Sequence, residues 1–242
     1  MSDPTSLDQI DLSPIPGKRY FTCDREWREE FIYFLMVDRF HDGKTHPPIN
    51  KPQRSHGFSA SDTFYGGRIE GVTRNLGYLA NLGCTAIWLS PVFETNAYHG
   101  YDISNYLAID DRFGSKHDLI DLVEAAHNFQ KDGRPRPIRI ILDVVINHSG
   151  DNWAYPGNVP YEYSNDQQFP FGFWRRADRP VPIQLRDETW YYRRGQMGDY
   201  DHNPENQHGD ILGLKDYAND DDYVGSQVIN ALIMAHCYWI RD

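Results

Sequence analysis

Ile138-Arg139-Ile140-Ile141-Leu142-Asp143-Val144-Val145-Ile146-Asn147-His148 is an apolar run of strand length that ends in an acid, an amide and an imidazole. Alternation along an extended chain separates Asp143 and Asn147 from Val144 and Ile146, which directs the polar groups to one face at the carboxyl end of the strand. A carboxylate in that position is costly unless paired, so Asp143 calls for a cation or for hydrogen-bond donors. A merely solvated strand end remains the alternative on this segment alone.

Two similar runs precede it: 31–37 reads as a strand buried on both faces, as in a parallel sheet, and 85–89 as another short apolar strand. Between them Val72, Leu76, Leu79 and Leu82 recur at helical spacing over 71–82, with Gly83 as a stop signal. Ser115 is a candidate N-cap for a second helix with Leu119, Leu122, Val123 and Ala126 on one stripe, and 138–145 is the third strand. Strand, helix, strand, helix, strand predicts right-handed crossovers around a parallel sheet. From 148 to 222 no period persists, and the stretch is dense in Asn, Asp, Gly, Pro, Tyr and Trp. A loop of that length is improbable in a compact domain, so it reads as a small inserted subdomain with short β structure. Helical spacing resumes over 224–240, and residues 1–30, with Pro4, Pro14 and Pro16, read as a loosely ordered lead-in.

The 242 residues carry 24 Lys+Arg against 35 Asp+Glu, a net charge of −11. An acidic chain without a basic run is repelled by phosphate backbones and anionic lipid, which argues against nucleic acid and membrane partners. No run approaches a membrane span and the first residues lack the apolar core of a signal peptide, so the expected location is cytoplasmic. Cys23, Cys84 and Cys237 suit neither a disulfide framework nor a CxxC metal site, and read as buried thiols.

Functional groups of parallel α/β folds gather at the carboxyl ends of strands. Those ends carry Asp38-Arg39, the segment Tyr98-His99-Gly100-Tyr101-Asp102, and Asp143 with Asn147 and His148. Tyrosine rings can stack on the apolar face of a sugar while Asp102 and His99 hydrogen-bond its hydroxyls. A polar aromatic loop that only covers the rim is the competing reading.

Together with Asp38-Arg39-Phe40, Phe64-Tyr65-Gly66-Gly67 and Ile87-Trp88-Leu89-Ser90-Pro91, these motifs resemble the amino-terminal part of the α-amylase family of glycoside hydrolases, over 31–242. The resemblance implies a (β/α)8 TIM barrel with an irregular domain B inserted after strand 3. On it, 31–147 is the first part of the barrel, 148–222 domain B, and 223–242 the third barrel helix. It implies retaining chemistry on α-glucosidic bonds of an α-glucan or maltooligosaccharide. His99, Tyr101, Asp102 and His148 then contact the sugar, Asp143 supports the site, and Asn147 with Asp216 of Leu214-Lys215-Asp216 ligates a structural Ca²⁺. The alternative for Asp216 is one exposed acid among Asp220, Asp221 and Asp222.

Retaining hydrolysis needs a nucleophile and an acid/base about 5–5.5 Å apart. The family's Gly-Phe-Arg-x-Asp motif and the later acid motifs do not occur in these 242 residues. The expectation is therefore a barrel truncated after its third strand–helix unit, inactive alone, with sheet edges and half of the barrel interior exposed. A non-catalytic glucan-binding or regulatory half-barrel is the second reading. A metal-dependent hydrolase using His99 and His148 is disfavoured by the absence of HxH or HExxH spacing.

Overall fold

The computed structural model describes residues 3–22, 26–44, 64–220 and 223–242. From the amino end, β1 (Ile32–Leu35) runs into a helical turn, α1 (Val37–Phe40), and the pair α2 (Ile69–Arg74) and α3 (Leu76–Asn81) leads to β2 (Ala86–Leu89). A hairpin of β3 (Phe93–Thr95) and β4 (Ile103–Ile109) precedes α4 (Lys116–His127), and the small hairpin β5 (Gln130–Lys131) and β6 (Arg134–Pro135) precedes β7 (Arg139–Leu142). Then come β8 (His148–Ser149), β9 (Trp153–Ala154), β10 (Phe173–Trp174), α5 (Glu205–His208), β11 (Lys215–Asp216) and the long helix α6 (Val224–Arg241).

β1, β2 and β7 form the expected parallel sheet with β2 central. Phe34 faces Trp88, which faces Ile141, and one residue on Leu35, Leu89 and Leu142 point the other way. On that second face Leu35, Ile87 and Leu89 pack with Ile69, Val72, Leu79, Leu119, Leu122 and Ala126 from the helices. The opposite face differs from the two-sided burial that the apolar runs predict: Ile32, Phe34 and Trp88 are each about two-fifths exposed. The helices of the crossovers lie against one face, and among the described residues no helix covers these three side chains.

Four further differences have local causes. The helix predicted over 71–82 is two helices that meet at Asn75, whose side-chain amide donates to Gly71 O at 2.8 Å and competes with the helical ladder. The third strand stops at Leu142 rather than Val145, because its partner β2 ends at Leu89. The hairpin β3–β4 has no counterpart in the predicted elements. The amino-terminal segment is not loosely ordered over 3–22: a capping box links Ser6 and Gln9, Leu7 is 7% exposed, and Leu7 N–H donates to Gln184 Oε1. Ser115 does cap α4, in a reciprocal pair with Asp118. Cys84 is buried, Cys237 is half-buried, and Cys23 lies outside the described residues, as do Asp221 and Asp222. Among the described residues no helix is long and apolar enough to cross a membrane.

Leu79 is fully buried on α3 while its neighbour Tyr78 is more than half exposed. Leu79→Ala should cost about 2–5 kcal/mol in urea unfolding, and Tyr78→Ala less than about 0.5 kcal/mol.

Candidate functional site

The carboxyl end of the sheet brings the predicted groups into one aromatic and polar platform. Gly100 makes the bend that carries them: its φ is +90°, and a Cβ there would lie 2.0 Å from Pro91 O. The bend orients His99 and Tyr101 with ring centroids 5.7 Å apart and planes 30° apart. Tyr101 N–H donates to His99 Nδ1 at 3.1 Å, which fixes the imidazole against the loop. Tyr101 Oη donates to Asp143 Oδ2 at 2.9 Å, and Trp88 Nε1 donates to the same oxygen at 2.9 Å. Asp143 thus finds the donors that its position demands, from β2 and from the loop.

His148 Nε2 lies 3.3 Å from Tyr101 O, and with the imidazole donating, that contact joins the first residue of β8 to the platform. Burial pushes the imidazole down to about 4, and the His99 charge acts in the same direction while the bond to Tyr101 opposes it. At neutral pH His148 is uncharged. Burial, reinforced by the hydrogen bond to the Asp143 carboxylate, pushes the Tyr101 phenol up to about 12, so it stays a donor.

Trp88 was not singled out by the sequence as a site residue, nor was the stack that extends the platform. The Arg39 guanidinium lies 4.2 Å from the Tyr65 ring and 3.8 Å from the Tyr98 ring, and Tyr98 meets His99 edge-on. Arg39 Nε is 3.0 Å from Asp38 Oδ2, and Asp38 accepts from the N–H groups of Tyr65 and Gly66. Trp88 could have been found from strand alternation, which sets it apart from buried Ile87 and Leu89.

Asp102 departs from its expected place among the sugar contacts. It is 1% exposed, and Oδ1 accepts Asp151 N–H at 3.0 Å while Oδ2 has no hydrogen-bond partner. The carboxylate faces 150–152, where it accepts from Asp151 and lies against Gly150. Burial pushes it up to about 7, helped by the charges of Asp151 and Asp178 and opposed by the Asp151 N–H and Lys215.

Asn147 and Asp216, 69 residues apart, are brought together: Asn147 Nδ2 donates to Asp216 Oδ1 at 2.7 Å. Asp216 is 2% exposed, so it is not one of a row of solvated acids, and its Oδ2 has no hydrogen-bond partner. Burial, then the charge of Asp210, pushes it up to about 9. A buried carboxylate oxygen without a donor, next to a side-chain amide, suits a hard cation such as Ca²⁺. Among the described residues no three His, Cys, Asp or Glu side chains converge, so carbonyls and water would have to complete such a shell.

A family model described as the α-amylase catalytic domain matches residues 34–241. The chain is 32% identical over 234 residues to a β/α-amylase of Paenibacillus polymyxa, covering 93% of this chain and 17% of that protein. It is 39% identical over 217 residues to α-amylase 2 of Dictyoglomus thermophilum, covering 89% and 30%. Among solved structures, the α-amylase of Geobacillus thermoleovorans in complex with acarbose is 29% identical with a TM-score of 0.56, covering 86% of this chain and 37% of that one. The chain therefore spans less than a third of the length of these two curated relatives.

Asp102 generates a pH prediction. Its folded pKa is raised above the unfolded value of about 3.9, so its contribution to stability is largest below pH ~4 and is lost as pH rises toward ~7. Asp102→Asn keeps the acceptor for Asp151 N–H and removes the titration. Its stability relative to the native protein should rise between pH 4 and 7 and then level, whereas Asp102→Ala should cost about 1–3 kcal/mol for the orphaned N–H. Urea unfolding at pH 5 and pH 8 measures both.

Proposed function

The chain belongs to the α-amylase family of glycoside hydrolases, and from that membership we propose that it supplies the sugar-holding part of a site acting on α-glucosidic bonds of an α-glucan or maltooligosaccharide, with retention. The three parallel strands are read as the first three of a (β/α)8 barrel, 148–222 as its inserted domain B, and α6 as the third barrel helix. The observation that carries the reading is the doubly bonded Asp143 carboxylate, which holds Trp88 and Tyr101 with His99 stacked beside them. Stacked rings edged by hydrogen-bonding groups suit a pyranose, whose C–H face is apolar and whose rim is all hydroxyls.

In this reading Tyr101 lies under the sugar ring, and His99 and His148 contact its hydroxyls. Asp143 positions Tyr101, and Asp102 anchors the loop to 150–152 instead of contacting the ligand. The nucleophile and acid/base motifs are not among these 242 residues, so the groups described hold the substrate and the bond-breaking carboxylates belong to none of them. The acarbose bound by the Geobacillus α-amylase makes that oligosaccharide a suitable probe. Titration calorimetry with acarbose or maltotriose should give saturable binding that weakens about tenfold or more in Tyr101→Ala and in His99→Ala. Unchanged affinity in both variants would remove the platform from the reading, and hydrolysis by the 242-residue chain alone would overturn the division of labour.

Asn147 and Asp216 would hold a structural Ca²⁺, whose charge would relieve the buried Asp216 carboxylate. Saturating Ca²⁺ should raise the unfolding temperature by several degrees in the native protein and not in Asp216→Asn, measured by thermal unfolding with and without chelator.

A further inference from the structure

Three consecutive residues, 101–103, join the platform to the turn 148–151. His148 Nε2 lies 3.3 Å from Tyr101 O, Asp151 N–H donates to Asp102 Oδ1 at 3.0 Å, and Gly150 N–H donates to Ile103 O at 2.8 Å. A Cβ at Gly150 would lie 2.2 Å from Asp102 Oδ1, so the lack of a side chain there is what lets the carboxyl group reach the backbone of 150–151. On the 101–103 side two of the three contacts use main-chain carbonyls, which do not titrate. The central one alone runs through an ionisable acceptor, and that residue directly follows Tyr101.

A charge count makes this carboxyl group hard to ionise. Asp102, Asp151, Asp178 and Asp210 are all at least nine-tenths buried. Two cations stand among them: Arg175 Nη2 lies 3.1 Å from Asp151 Oδ2, and Lys215 Nζ lies 3.1 Å from Asp210 Oδ2 and 3.7 Å from Asp151 Oδ1. Both are engaged by other acids, and Asp102 Oδ2 has no hydrogen-bond partner. With all four acids ionised these six groups sum to −2, which a low-dielectric interior resists. The charges of Asp151 and Asp178 disfavour an Asp102 carboxylate, and that of Lys215 favours it. The Tyr106 phenol on β4 also feels Asp102, and burial pushes it further up, so it stays protonated across the neutral range. A proton on Asp102 removes one charge and leaves the Oδ1 acceptor for Asp151 N–H in place.

His148 is tied to the same stretch at both of its ends. Its carbonyl accepts from Tyr106 Oη at 3.1 Å while its imidazole meets Tyr101 O. Its place beside the platform therefore depends on how closely 148–151 sits against 101–106, and the Asp102 contact lies in the middle of that seam.

We propose that Asp102 is a positioning residue whose proton keeps a clasp closed between 101–103 and 148–151, and that its ionisation loosens the clasp and shifts His148 from the platform. The proposal rests on the platform reading above and gives that site a proton-linked affinity. A carboxyl group raised to about 7 in the closed clasp, and near its ordinary ~3.9 in an open, solvated one, favours closure most below pH ~4 and loses that preference as pH rises toward ~7. Its contribution to binding is thus largely present at pH 5 and lost by pH 8. Acarbose titrated by calorimetry into the native protein and into Asp102→Asn at both pH values isolates that contribution, because His99 and His148 titrate in both proteins. The ratio of native to variant affinity should fall at least about fivefold from pH 5 to pH 8. Asp178→Asn supplies a second reading that does not depend on the folding of Asp102→Asn. It removes a charge that holds the proton on Asp102, so its affinity should fall at least about twofold less than the native protein's over the same interval. A native-to-variant ratio that is the same at pH 5 and pH 8, or a native pH dependence that Asp178→Asn leaves unaltered, overturns the proposal. Binding that needs Tyr101 but lacks this pH dependence leaves the platform reading standing, whereas no binding by the native protein removes both.

Discussion

A single carboxylate oxygen ties the sheet to the 98–102 loop. Asp143 Oδ2 accepts from the indole of Trp88 on β2 and from the phenol of Tyr101 on the 98–102 bend. Each donor is aromatic, so satisfying the acid also sets two rings at fixed angles to the sheet. His99 then follows through its bond from the Tyr101 amide, and His148 through Tyr101 O. The cost of leaving a carboxylate unpaired at a strand end is thereby converted into the rigidity of the aromatic platform.

The segment 148–222, with Asp102 beside it, faces a different electrostatic problem. Asp102, Asp151, Asp178, Asp210 and Asp216 are all at least nine-tenths buried, against the two cations Lys215 and Arg175. Removing so many acids from water is unfavourable, and burial raises Asp102, Asp210 and Asp216 accordingly. The chain answers with backbone N–H groups, with the Tyr155 hydroxyl on Asp210, and with the Lys215 ammonium over two aromatic rings. Asp216 Oδ2, beside the Asn147 amide, has no such donor, and a bound cation has a physical reason to sit there.

The parallel sheet, the capped helix α4 and the long helix α6 were legible because each rests on local periodicity or on a cap. Asn75 was not legible as a break, since nothing in the apolar spacing registers a side-chain amide taking the Gly71 carbonyl. For the site, His99, Tyr101, Asp143 and His148 were placed together from the rule of strand ends and from the family resemblance. The pairing of Asn147 with Asp216 came from the resemblance alone, because no local pattern joins residues 69 apart. Asp102 shows the limit of motif reading: its neighbour Tyr101 faces the platform, whereas its own carboxylate is buried against the Asp151 N–H. The charge cluster of Asp151, Arg175 and Lys215 had no sequence signal, since the three lie far apart in the chain and no local pattern joins them.

The strap formed by residues 3–22 carries a consequence for how the molecule assembles. Ser6 and Leu7 bond to Gln184, and Lys18 Nζ bonds to the carbonyl of Arg241. These contacts join positions about 180 and 220 apart, whereas the hairpin β3–β4 and the capped α4 close over short distances. At ordinary rates of synthesis the partner of Leu7 emerges on the order of ten seconds or more after Leu7 itself. Residues 3–22 are thus made well before the partners they dock against, and the strap closes as a latch only once 148–222 and α6 are in place.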